Sequence, residues 1–118
     1  MKKDTIVIGG TEYRVEVNWN ALATFLQAVG RDTIEDLASF STIRPSEITA
    51  LMAACIIEGE RLEGRKVQGG LIGFATDLGS IITPGDVAAF MNIYVRQSSP
   101  QMEVETPKKE EGPEAPAS

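Results

Sequence analysis

The sequence predicts a mainly α fold with a short N-terminal β-hairpin (α+β), in which the hairpin leads into about five helices and a disordered tail ends the chain. Three observations carry that reading. Apolar and polar residues alternate up to Val17 and then apolar residues recur with a helical period. A Gly9-Gly10 pair separates two alternating runs, where a two-residue turn belongs. The last twenty residues hold four of the six prolines and no aromatic side chain.

The hairpin joins Thr5-Ile6-Val7-Ile8 to Thr11–Val17. A two-residue loop sets Ile8 opposite Thr11 and Ile6 opposite Tyr13. Ile6, Ile8, Tyr13, Val15 and Val17 then share one face, and Val7 is the only apolar residue on the other. A lone hairpin is marginal in water, so that apolar face needs helices to cover it.

Leu22, Phe25, Leu26 and Val29 follow the i, i+3, i+4, i+7 spacing of a helix. Asn18 or Asn20 suits its start and Gly30 its stop. Asp32-Thr33-Ile34-Glu35 resembles a capping box, which predicts a short helix from Thr33 to about Phe40. Pro45 suits a first helical position, and a third helix is expected from there to Glu63. Its stretch Leu51 to Ile57 is apolar at every position, as in a helix covered on more than one side. Gly69 to Gly79 has a helical spacing of apolar residues, although each interior glycine weakens a helix by about 1 kcal/mol relative to Ala. Thr83-Pro84-Gly85-Asp86 is a strong start signal for a last helix running to about Gln97.

These elements form one domain, residues 1–98. Residues 99–118 carry five Glu against two Lys and too few apolar side chains to offset the entropy of ordering, so a disordered, acidic, Pro-rich tail is expected there.

Composition excludes several functions. With 118 residues, no histidine and a single cysteine, Cys55, the chain has no internal disulfide, no Cys/His zinc site and no imidazole catalyst. A net charge of −6 makes it a poor binder of nucleic-acid phosphates. No apolar run reaches the roughly 18 residues of a membrane span, and no signal-peptide core follows Met1-Lys2-Lys3. The expected location is the cytoplasm.

No motif rises to an enzyme. Gly69-Gly70-Leu71-Ile72-Gly73 lacks the Gly-Lys-Ser/Thr ending of a phosphate loop. Cys55 lies inside an apolar run with no base to activate it. Glu58, Glu60 and Glu63, beside Arg61, Arg65 and Lys66, read as a solvated, charged helix end. Trp19 and Tyr13 read as staples between hairpin and helix. No catalytic residue, cofactor or metal ligand is expected. Glycines around Leu71, Phe74, Leu78, Ile81 and Ile82 argue against tight packing there, so these five are the candidate partner-binding surface.

The stretch Ile8-Gly9-Gly10-Thr11-Glu12-Tyr13-Arg14-Val15-Glu16-Val17-Asn18-Trp19-Asn20-Ala21-Leu22 resembles the opening of tail assembly chaperones of long-tailed bacteriophages and prophages. In that family an I-x-G-x-x-Y-x-V hairpin runs into an N-x-N-A-L helix start. The helix closed by Gly30 and the Pro45–Met52 helix start continue the likeness over residues 5 to 98. The resemblance implies a non-enzymatic protein of the bacterial host cytoplasm. It would bind the tape-measure protein, help recruit tail-tube subunits, and be missing from the finished virion. It also implies a longer frameshifted product in many relatives, for which codons of Pro107-Lys108-Lys109-Glu110 could provide the slippery run. The apolar, glycine-rich Gly69–Gly79 segment departs from the acidic helix of relatives. The rival readings are another tail or head–tail connector component and a small helix-turn-helix regulator, the latter opposed by the acidic charge.

Overall fold

The computed structural model describes residues 3–31 and 44–105, with side chains as far as Ser98. Its hairpin has the register that the turn dictates. Strand β1 (Asp4–Ile8) pairs antiparallel with β2 (Thr11–Val15), Ile8 opposite Thr11 and Ile6 opposite Tyr13. Gly9 and Gly10 take φ of +58° and +84°, the primed turn that matches strand twist and that side chains resist. Ile6, Ile8, Val15 and Val17 are buried, Tyr13 is half-buried, and Val7 faces solvent.

Helix α1 (Trp19–Ala28) starts at Asn18, whose Oδ1 accepts the Ala21 N–H at 3.0 Å. It stops at Gly30. The Arg31 N–H donates to Leu26 O at 2.8 Å and the Gly30 N–H to Gln27 O at 3.3 Å, the paired bonds of a Schellman ending. A 3-10 turn, Pro45–Glu47, then opens helix α2 (Ile48–Leu62), with the Glu47 side chain accepting the Arg44 N–H at 3.1 Å.

Helix α2 is the centre of the domain. Residues Leu51 to Ile56 are each at most 2% exposed, because α1, β2 and α3 (Gly70–Ile81) all pack on this helix. Helix α4 (Pro84–Glu105) closes the core with Phe90 and Ile93. Its start is reciprocal: Thr83 Oγ1 accepts the Asp86 N–H at 3.1 Å, and Asp86 Oδ2 accepts the Thr83 N–H at 3.0 Å.

The molecule is therefore mainly helical with a two-stranded N-terminal hairpin, and four α-helices lie among the described residues against five expected. The expected helix Thr33–Phe40 lies outside the described residues. Helix α4 runs to Glu105, past the expected end at Gln97. A boundary at residue 98 follows from the tail's few apolar residues, whereas Gln101, Met102, Glu103 and Glu105 have high helix propensity. Residues 106–118 lie outside the described residues.

Candidate functional site

Two features of the described residues are candidates for function: a sealed charged junction and an apolar groove.

The junction joins the end of α2 to the hairpin. Gly59 lets the helix backbone touch β2, and the Glu16 N–H donates to the Cys55 carbonyl at 3.1 Å. The Arg14 N–H donates to Glu60 Oε2 at 2.8 Å, and Arg65 clasps the same carboxylate through Nε at 2.6 Å and Nη2 at 3.0 Å. Glu58 accepts from Asn18 Nδ2 at 2.8 Å, Asn20 Nδ2 at 3.3 Å and Arg61 Nη2 at 2.8 Å. Glu63 takes Lys3 Nζ at 2.7 Å and Arg14 Nη1 at 2.8 Å.

This arrangement corrects the reading of a solvated helix end. Glu58 and Glu60 are each only 6% exposed, because their carboxylates bond inward to the hairpin and the α1 cap. Hydrogen bonds from Arg61, Asn18 and Asn20, led by Arg61, hold the Glu58 carboxyl down to about 2. Arg65 and the Arg14 backbone lower Glu60, and Lys3 and Arg14 lower Glu63. Carboxylates held ionised and saturated with donors are poor general acids. In the fold they tie the end of α2 to the hairpin and to the α1 cap.

Cys55 is fully buried, and burial, then the Glu16 and Glu58 charges, push its thiol up to about 12. A thiol so disfavoured as thiolate is no nucleophile at neutral pH.

The apolar groove lies between the 3-10 turn and the start of α4. Pro45, Ile48, Pro84, Val87 and Met91 line it, Arg44 stands at its rim, and it holds about 500 Å³. Periodicity could have found Val87 and Met91, which lie on the predicted stripe of the last helix. Their meeting with Pro45 and Ile48 is a long-range fact that spacing does not carry.

The five expected surface residues divide. Phe74 and Leu78 are core, 7% and 1% exposed, which corrects the expectation of a loosely packed surface there. Gly69, Gly70 and Gly73 did not loosen α3, since Gly69 and Gly70 lie at its start, where positive φ is useful, and Phe74 lands edge-on against Tyr13 at 5.4 Å. Leu71 and Ile82 are half-buried against the core, and Ile81 is exposed beside the Gly9 turn. Trp19, expected as a staple, is 61% exposed at the first turn of α1, while Tyr13 does pack inward.

Among the described residues no helix is long and apolar enough to cross a membrane. No protein-family model matches the chain, and no curated protein or solved structure is significantly similar to it.

Proposed function

We propose that this protein is a non-enzymatic tail assembly chaperone of the long-tailed-phage type. In this reading it works in the bacterial host cytoplasm, holds the tape-measure protein and helps recruit tail-tube subunits. The observation that carries the reading is local. The residues of the resembling stretch are those that organise the hairpin–helix junction. Tyr13 seats on Phe74, Val15 and Val17 enter the core, and Asn18 both caps α1 and ties it to Glu58.

The apolar groove supports the same reading. A long protein that must stay unassembled exposes apolar helical faces, and a groove lined by Ile48, Val87 and Met91 accepts such a face by helix-in-groove docking. The net charge of −6 favours solubility of the complex.

Co-expression with a cognate tape-measure protein tests this. The expected result is a soluble complex that Val87→Asp with Met91→Asp abolishes, and purified particles that lack the chain. Recovery of the chain from purified particles would overturn the reading in favour of a connector component. A tape-measure protein equally soluble without the chain would overturn it as well.

A further inference from the structure

The two edges of the hairpin differ. On β2 and just past its end, the outward N–H groups of Arg14 and Glu16 are taken up by Glu60 and Cys55 of α2. On β1, the alternation that turns the polar groups of Asp4, Ile6 and Ile8 toward β2 turns those of Thr5 and Val7 away from it. Neither the Thr5 nor the Val7 backbone has a partner among the described residues beyond that ladder. An open row of this kind is a template for another strand, and natural edges are usually blunted by a charge, a proline or a bulge. Thr5 and Val7 are none of these. Both are exposed and β-branched, and Val7 keeps 57% of its surface in solvent.

We propose that β1 is a homodimer interface, pairing antiparallel with β1 of a second copy about a two-fold axis at Ile6 to give a continuous four-stranded sheet. The outward groups pair with one another in this register. Thr5 lies opposite the partner's Val7 and Val7 opposite the partner's Thr5, each a hydrogen-bonded pair, as a self-matching two-fold contact requires.

Charge is what favours a second copy as the occupant. Because Arg14 stands opposite Thr5 and Glu12 opposite Val7 within the hairpin, each row across the joined sheet runs Arg14, Thr5, the partner's Val7, the partner's Glu12. These two outward-facing rows end in opposite charges and join uncharged residues at the contact, while on the other face Asp4, bonded to Gln97 of α4, meets the partner's Ile8. Moving the axis to Asp4 would set two carboxylates face to face. Moving it to Thr5 would set Lys3, engaged with Glu63, against the partner's Val7.

Sedimentation velocity of the full chain over a wide concentration range, with amide exchange read at Thr5 and Val7, tests the proposal. The expected mass rises from 12.7 kDa toward twice that value, and exchange at both amides slows in step. Val7→Lys keeps a favourable partner in Glu12 within the hairpin, yet sets two lysines diagonally across the axis. Thr5→Pro deletes an outward N–H and spares the β1–β2 ladder. Both variants are expected to remain monomeric with nearly unchanged melting, Val7→Lys serving if Thr5→Pro strains the strand. A monomer at every concentration with fast exchange at both amides overturns the proposal. So does a dimer that Val7→Lys leaves intact, or protection of Thr5 and Val7 gained only when a different protein is added.

Discussion

A Cβ placed on Gly59 would lie 2.1 Å from the carbonyl oxygen of Arg14. No carbon sits that close to a backbone oxygen, so glycine at this position is what lets α2 lie against β2. Gly59→Ala must push the helix from the strand and stretch the Arg14–Glu60 and Glu16–Cys55 bonds together. The expected cost is about 3 kcal/mol, the upper end for overpacking, or a fall in melting temperature of roughly 12–24 °C. Thermal unfolding followed by circular dichroism checks it.

The Glu58 carboxyl gives the fold an acid limit. Its folded value of about 2 lies below the ordinary 4.5, so its stabilising share is complete above about pH 4.5 and is lost as pH falls toward 2. Glu58→Gln keeps the shape and removes that share, at about 1–3 kcal/mol near neutral pH. Urea unfolding at pH 7 and pH 3 should show the variant closer to the native protein at the lower pH.

Cys55 should be silent in the native state. Its raised thiol and complete burial predict no reaction with a disulfide-exchange reagent at pH 8, and one full equivalent after denaturation. Rapid native labelling would mean that α2 opens readily.

On α3, neighbouring residues should behave oppositely. Phe74→Ala removes a core ring packed against Tyr13 and should cost about 3–5 kcal/mol. Ile72→Ser, at a side chain 68% exposed, should change stability by about 0.5 kcal/mol or less. Chemical denaturation of the two variants side by side separates core from surface on one helix.

Local signals foretold local structure well. The Gly9-Gly10 turn, the Asn18 cap, the Gly30 stop and the Thr83–Asp86 box each depend on a few adjacent residues, and each formed as spacing required. What spacing could not carry was distance along the chain. Glu58 and Glu60 look like a solvated end until Asn18, Asn20 and Arg14 are brought to them across 40, 38 and 46 residues. The glycines near Phe74 and Leu78 suggest loose packing, but the burial of these residues depends on Tyr13 and α2. Gly59, set between Glu58 and Glu60 near the end of α2, is the one visible hint that another backbone passes close by. The groove was legible only as one half of its lining.

The seal on β2 also sets an order of events during synthesis. Arg14 leaves the ribosome 46 residues ahead of Glu60, the carboxylate that takes its N–H. At typical translation rates of about 5–20 residues per second, that is a delay of roughly 2–9 s. Hairpins close in microseconds, so the turn can form at once while its β2 edge stays bare until α2 arrives. The first element made is thus among the last to be secured, and the nascent chain carries an unprotected strand through the interval when neighbouring nascent chains are closest.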